Sequence, residues 1–247
     1  MRLLQTFLTL VHAGMMLASC GSPAANPRVV AASSIARLMT ECGLDRNVTV
    51  VRGASKTLEK QLLEGLTCDV VILLSPIEPM GLLAAHKIAP DTLRELGTLR
   101  LSLASSPSSP IPTSINDLRI LPGRIALANP ETAPFGIAAK EALTRAGLWE
   151  SLHSRIVITD DVGLAEKLVA EGEVAFAVVP FSERGSGRHL PIAAELHQPL
   201  RAWGALSTSA SPEATAWWQR LTARQPGDAL ELNGLSQPSP RATWSTR

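Results

Sequence analysis

The chain has 247 residues, enough to bury either two modest cores or one large one. Its 23 Lys and Arg residues nearly balance its 22 Asp and Glu residues, so the formal net charge is only +1. This balance excludes the strongly basic surface with which many proteins hold nucleic acid or acidic membranes. We therefore expect no nucleic-acid partner.

The N-terminus carries the pattern of an export signal. Residues 1–17 are mostly apolar but too few for a stable membrane-spanning helix. The run Leu17-Ala18-Ser19-Cys20-Gly21 resembles a bacterial lipobox, in which the cysteine thiol is acylated and becomes the new N-terminus. The sequence thus predicts a lipoprotein signal peptide over 1–20, lipidation of Cys20 and a tether over 21–27, which places the protein in the bacterial cell envelope. A plain secretory signal with a chance cysteine is the alternative.

Four segments share one order: a short apolar run, a turn of small or hydroxylated residues, then apolar positions at helical spacing. The apolar runs are 29–32, 48–51, 125–128 and 155–158. In an open α/β sheet such turns gather at one edge, where ligands bind. The N-terminus of each following helix presents backbone N–H groups there, which makes it a natural receptor for an anion.

Polar residues at these turns also have a purely structural explanation. Side chains of this kind commonly accept hydrogen bonds from the first turn of a helix as N-caps. The residues concerned are Ser33, Ser55, Thr159 and Asp160. By themselves the four segments therefore predict an α/β fold more firmly than a ligand.

The order of longer motifs is more specific. The chain contains Ala31-Ala32-Ser33, then Gly53-Ala54-Ser55-x-Thr57-Leu58, then a long block from Asn129 to Trp149, then Asp161-Val162. In this order it resembles the periplasmic molybdate-binding proteins, which are the solute receptors of molybdate ABC transporters. The resemblance extends over about residues 28–235. It implies a two-lobed α/β fold of the type 2 periplasmic binding proteins, in which each lobe is a mixed sheet flanked by helices and the ligand lies between the lobes.

The resemblance also implies a site. Ser33 and Ser55 would each give a hydroxyl, and Phe135 and Val162 would each give a main-chain N–H, to molybdate or tungstate. The oxyanion is then the ligand, with no cofactor and no further metal ion. The implied partner is an ABC-transporter permease, the membrane is met only through the lipid anchor, and the protein is expected to be a monomer.

Three positions depart from the family pattern, and one of them is Leu74-Ser75-Pro76, where the family has Ser-Ala-Asp after a strand. Pro180 stands where the family commonly has a tyrosine that donates its hydroxyl, and this chain contains no tyrosine. Ser182 would replace that donor if the turn bends inward. Lys56 stands where a small residue is usual, facing either solvent or the oxyanion. These changes leave open a receptor for another anion (sulfate, phosphate or an organic carboxylate), or a degenerate envelope lipoprotein that senses or binds a partner.

Composition divides the chain into two lobes. Lobe one is expected to take 28–105 and 196–235, and lobe two 106–195, because a Ser- and Pro-rich run begins at residue 105. Two crossings between the lobes would form the hinge that a closing cleft needs. A disordered tail is expected over 236–247.

Three further features bear on function. Cys42 follows the first helix and Cys68 precedes a strand, so that either a disulfide or two free buried thiols is consistent with the sequence. Residues 52–57 imitate the end of a phosphate-binding loop but lack its glycines, and a nucleophile elbow and a dinucleotide fingerprint are missing from the sequence. We therefore expect a binding protein with no catalytic residues.

Overall fold

The structure, a computed structural model, describes residues 26–75, 79–181, 188–223 and 234–236. The strands are β1 (Arg28–Ala32), β2 (Thr49–Gly53), β3 (Val70–Leu74), β4 (Arg94–Leu99), β5 (Leu101–Ser105), β6 (Ile125–Ala128), β7 (Ile156–Thr159), β8 (Phe176–Pro180), β9 (His189–Pro191), β10 (Leu200–Leu206) and β11 (Leu235–Ser236). The helices are α1 (Ser33–Glu41), α2 (Ser55–Leu63), α3 (Met80–Ala84), α4 (Pro134–Arg145), α5 (Trp149–Leu152), α6 (Val162–Ala170) and α7 (Pro212–Thr222).

The strands form two mixed sheets. The first has the order β11-β4-β10-β3-β1-β2 and the second the order β7-β6-β8-β5-β9. Strand β1 pairs in parallel with β2 and β3, and β6 pairs in parallel with β7 and β8, whereas β4, β5, β9, β10 and β11 pair antiparallel with their neighbours. This arrangement confirms the predicted two-lobed α/β fold.

Strand β3 illustrates why the central strands read as continuous apolar runs. All five of its residues are buried. Val70, Ile72 and Leu74 belong to the larger core, whereas Val71 and Leu73 belong to a smaller core on the opposite face of the sheet. A parallel strand covered on both faces needs apolar side chains at every position.

The first crossing between the lobes differs from its expected position. Strand β4 ends at Leu99 and β5, which begins at Leu101, hydrogen-bonds to β8 and β9 in the second sheet. Residues 101–105, assigned to lobe one from composition, therefore lie in lobe two. All five residues of β5 are buried, so the Ser- and Pro-rich run follows a core strand of lobe two and does not mark the crossing.

The two cysteines pack on opposite faces of the first sheet. Cys42 contacts the larger core and Cys68 the smaller one. The two sulfur atoms are not joined by a disulfide. Burial, with Asp69 nearby, raises the pKa of the Cys68 thiol to about 11. Cys68 therefore remains a protonated thiol at neutral pH.

Some predictions fall on residues that the structure does not describe. These are the signal peptide 1–20 with Cys20, nearly all of the tether, Ser182, and the tail beyond Ser236. Ser236 itself, assigned to the tail, lies in β11 and pairs with β4. In the part of the chain that is described, no helix is both long and apolar enough to cross a membrane.

Candidate functional site

Four helices begin at the carboxyl ends of parallel strands. Helices α1 and α2 follow β1 and β2 in lobe one, and α4 and α6 follow β6 and β7 in lobe two. Ser33, Ser55 and Val162 are the first residues of their helices, and Phe135 is the second residue of α4, directly after Pro134. Backbone N–H groups in the first turn have no partner within their own helix. Because proline has no N–H, that of Phe135 is the first that α4 offers.

All four sequence-predicted residues line one small cavity between the lobes. Its volume is about 10 Å³, close to the minimum that one water molecule needs. The other residues that line it are Ala32, Ser34, Gly53, Ala54, Leu74, Ala133, Pro134 and Asp161. The structure therefore brings together first-turn groups from both lobes, as the predicted site requires.

The two predicted serines are not N-caps. Helices α1 and α2 are capped by Ala32 and Ala54, whose extended backbones have ψ angles of 142° and 140° and which offer no capping side chain. The hydroxyls of Ser33 and Ser55 therefore serve other contacts. Helix α6 does have a side-chain cap, supplied by Asp161, the second of the two adjacent aspartates at this turn.

Each serine hydroxyl has a different partner. The Ser33 Oγ donates to Asp161 Oδ2 at 2.8 Å, a hydrogen bond that joins lobe one to lobe two. The Ser55 Oγ, in a residue only 4% exposed, accepts from the backbone N–H of Leu74 at 3.0 Å. One hydroxyl thus closes the cleft, and the other holds the end of β3 against the start of α2.

Ser34 is a residue that the sequence reasoning missed. It lines the cavity, is 1% exposed, and its Oγ has no hydrogen-bond partner among the described residues. A buried hydroxyl without a partner costs free energy unless something binds it. The signal was present in the doubled serine after β1, but only the first serine matched the family motif.

Of the three departures from the family pattern, Leu74 lines the small cavity, whereas Lys56 and Pro180 lie away from it. Lys56 is exposed and borders a separate cavity of about 260 Å³, whose wall is mainly apolar and includes Trp203. Its backbone N–H donates to the Thr132 carbonyl oxygen at 3.2 Å, which adds a second bond between the lobes. Pro180 is buried at the end of β8 opposite Leu101 and does not line the small cavity.

Charged residues meet behind the cavity, where α1 of lobe one packs against α6 of lobe two. Arg37 lies 2.6 Å from Glu41 on its own helix and 3.2 Å from Glu166 on α6. Burial raises the pKa of Glu166 to about 7, with Arg37 opposing the shift and Glu41 and Asp161 adding to it. This ion pair is a further contact across the cleft.

The site offers neutral donors and a single ionisable side chain. Among the described residues that line the cavity, Asp161 alone carries a carboxylate, and the remaining side chains are hydroxyl-bearing or apolar. The described part of the chain contains no group of three or more His, Cys, Asp or Glu residues arranged to hold a metal ion. The cavity therefore presents neutral hydrogen-bond donors, the usual means of holding an oxyanion, beside one carboxylate.

Comparison with known proteins agrees with this geometry. A family model described as bacterial extracellular solute-binding protein matches residues 27–235. The chain belongs to this family. The family resemblance that the motifs predicted is thereby confirmed.

Named relatives of this solute-binding protein are similar to it over part of its length. It is 30% identical over 180 residues to the molybdate-binding protein ModA of Escherichia coli K12, covering 67% of this chain and 69% of the relative. It is also 30% identical over 120 residues to ModA of Azotobacter vinelandii, covering 44% of this chain and 47% of that relative. Both relatives are named as binding proteins and not as enzymes.

A solved structure supports the fold independently. The periplasmic molybdate-binding protein of Azotobacter vinelandii superposes with a TM-score of 0.77 at 21% identity, covering 86% of this solute-binding protein and 100% of the other chain. Because the sequence identity is low, this likeness bears on the two-lobed architecture alone.

Proposed function

We propose that this solute-binding protein captures molybdate or tungstate outside the cytoplasm and delivers it to the permease of an ABC transporter. One observation carries the proposal: first-turn groups of four helices, two from each lobe, line the same cavity. Two relatives that are 30% identical are named as molybdate-binding proteins. The site residues proposed to hold the oxyanion are Ser33, Ser34, Ser55, Phe135 and Val162.

Binding would couple to closure of the lobes. An oxyanion held by Ser33 and Ser34 from α1 and by the N–H groups of Phe135 and Val162 makes its full set of contacts only when the lobes are together. A ligand stabilises whichever conformation it contacts best, so the closed form is favoured by the bound anion. Each hydrogen bond to a charged acceptor contributes roughly 1.5–3 kcal/mol net.

Phe135 gives the site a means of selecting by size. Phe135 is 2% exposed and packs in the larger core, so its ring cannot move aside without a cost in packing energy. The packing of the Phe135 side chain therefore fixes how much room the cavity has beside the Phe135 backbone N–H. We propose that this spacing favours the larger molybdate over the smaller sulfate.

A transport role without catalysis fits the same chemistry. The Asp161 carboxylate accepts bonds from Ser33 and from the N–H of Leu164. Among the described residues that line the cavity there is no histidine, and the Asp161 carboxylate beside the Ser33 hydroxyl is also used to cap α6. We propose that the protein is a receptor and not an enzyme.

We further propose that the mature protein is a monomer anchored through lipid on Cys20. The lipobox-like run Leu17-Ala18-Ser19-Cys20-Gly21 supports anchoring. Expression of Cys20→Ala in a bacterial host should move the protein from the membrane fraction to the soluble envelope fraction. Unchanged fractionation would contradict the anchor.

Isothermal titration calorimetry of the purified protein tests the function. We expect micromolar or tighter binding of molybdate and tungstate and much weaker binding of sulfate. Absence of heat with every oxyanion would contradict the proposal and favour a sensory or partner-binding lipoprotein.

A further inference from the structure

The Asp161 carboxylate has two separate uses. Its Oδ1 accepts the backbone N–H of Leu164 at 3.1 Å and so caps α6. Its Oδ2 accepts the Ser33 hydroxyl at 2.8 Å across the cleft. Oδ1 therefore stabilises helix α6, whereas Oδ2 accepts a hydrogen bond from the Ser33 hydroxyl, a group that is proposed to bind the guest.

We propose that Asp161 limits how strongly the site discriminates molybdate from oxyanions that carry a proton. This inference rests on the proposed function and concerns the same cavity. Asp161 was not among the residues that the family motifs suggested as ligands. Its contact with Ser33 joins residues 128 positions apart and arises only from the closed arrangement of the lobes.

The cavity volume requires the Ser33–Asp161 hydrogen bond to break when a guest enters. A space of about 10 Å³ holds about one water molecule, whereas a tetrahedral oxyanion places four oxygen atoms around its central atom. The lobes must therefore separate and close again around the guest. The Ser33 hydroxyl then turns to the guest, and Asp161 Oδ2 loses its donor.

Once it has lost the Ser33 hydroxyl, Asp161 Oδ2 interacts differently with oxyanions that carry a proton and with those that carry none. Molybdate and sulfate carry no proton at neutral pH, so all their oxygens are acceptors and face Oδ2 without a hydrogen between them. Hydrogen phosphate still carries an O–H that can donate to Oδ2. A carboxylate accepts hydrogen bonds and donates none, so only the protonated guest restores the lost bond.

Charge acts in the same direction only for the fraction of phosphate that is the monoanion H2PO4⁻ at neutral pH, because hydrogen phosphate and molybdate both carry two negative charges. Like charges repel more strongly in a site from which water is excluded than they do in bulk solvent. Arg37, the cation at the contact of α1 with α6, already lies within ion-pair distance of Glu41 and Glu166.

Asp161→Asn isolates this effect. Asparagine is as good an N-cap as aspartate, so Oδ1 can still accept the Leu164 N–H. The other oxygen becomes an NH₂ group, which donates to an oxyanion and carries no charge. Asp160→Asn is the matched control, because it removes the same charge from the adjacent residue, whose side chain is exposed.

The experiment is calorimetric titration of the parent, Asp161→Asn and Asp160→Asn with sodium molybdate, sulfate and phosphate at neutral pH. We expect Asp161→Asn to raise the ratio of molybdate affinity to phosphate affinity at least tenfold, with Asp160→Asn resembling the parent. Asp161→Ser, which also caps a helix without charge, should change the ratio in the same direction. Thermal unfolding verifies that each variant is folded. If Asp161→Asn does not fold, the comparison is made with Asp161→Ser.

The outcomes separate this inference from the proposed function. Equal ratios in the parent and in both Asp161 variants would overturn the inference while leaving molybdate binding intact. A parent that binds phosphate but not molybdate, with the order reversed in Asp161→Asn, would support the inference and contradict molybdate capture. If neither the parent nor any variant binds any of the three anions, both the inference and the proposed function are overturned.

Discussion

Three serine hydroxyls at the start of two helices have three different states. The Ser33 hydroxyl bonds to a carboxylate across the cleft, the Ser55 hydroxyl bonds to a buried backbone N–H, and the Ser34 hydroxyl has no partner among the described residues. Replacing each by alanine therefore has a different expected balance between lost affinity and lost stability.

Ser34→Ala is expected to weaken molybdate binding by roughly 1–3 kcal/mol, the value of a hydrogen bond to a charged group. Stability should stay the same or rise, because the variant removes a buried polar group that lacks a partner. Calorimetry measures the affinity and thermal unfolding measures the stability. Ser154→Ala, at an exposed position in lobe two, is the control. Unchanged affinity in Ser34→Ala would remove Ser34 from the site.

Ser55→Ala is expected to lower stability as well as affinity. The Leu74 N–H would lose its acceptor inside the protein, which costs about 1–3 kcal/mol of unfolding free energy. Denaturant titration without ligand measures this loss, with Ser34→Ala as the comparison that should not show it. A Ser55→Ala variant as stable as the parent would indicate that the Leu74 N–H finds another partner.

At the scale of elements, the apolar periodicity predicted all four strand–helix units near their observed positions. The sequence was less informative about the helix starts, because a serine just after a strand suits both an N-cap and a first helical residue. The choice depends on the backbone of the preceding residue, which is extended at Ala32 and Ala54. For the same reason the cap of α6 is Asp161 and not Asp160.

The packing of α1 against α6 predicts that the free energy of unfolding depends on pH. Folded Glu166 keeps its proton up to about pH 7, whereas the unfolded chain releases it near its ordinary pKa of 4.5. The folded state therefore binds more protons in this window, so Glu166 lowers the free energy of unfolding as pH rises from about 4.5 to 7. Its contribution is on the order of 2 kcal/mol after allowance for solvent screening.

Glu166→Gln should remove this component. Its unfolding free energy, compared with that of the parent by denaturant titration at several pH values, should rise relative to the parent as pH increases through the window. Glu171→Gln provides the control, because Glu171 pairs with Lys167 at the exposed end of the same helix. Parallel pH profiles for the parent and Glu166→Gln would contradict the raised pKa.

At the scale of the molecule, the fold and the convergence of four helix starts followed from the order of motifs. The contact between Ser33 and Asp161 did not, because it depends on how far the lobes close. The crossing at Arg100 was also missed, since composition marks the exposed run after β5 more clearly than a one-residue passage between two buried strands.

A disulfide across the cleft tests closure. A Cβ added at Gly163 would lie 3.9 Å from the Ser33 Cβ, within the range that disulfides adopt. We expect oxidised Ser33→Cys/Gly163→Cys to associate with molybdate much more slowly than the same variant after reduction, because the crosslinked lobes can no longer separate. Ser33→Cys alone, which lacks the same hydroxyl, sets the level that the reduced form should reach. The experiment uses a chain with Cys42→Ala and Cys68→Ala.

Mass spectrometry verifies the crosslink before binding is measured. Equal association rates in the oxidised and reduced forms would mean that the guest enters without separation of the lobes.

The central claim is that donors from both lobes converge on one oxyanion, and a crystal structure grown with tungstate tests it most directly. The anomalous signal of tungsten locates the guest without ambiguity. We predict one strong peak between the lobes, within hydrogen-bond reach of the Ser33 and Ser34 hydroxyls and of the backbone N–H groups of Phe135 and Val162, with Asp161 released from Ser33. A peak elsewhere, or a guest bound to one lobe with those hydroxyls turned away, would contradict the account.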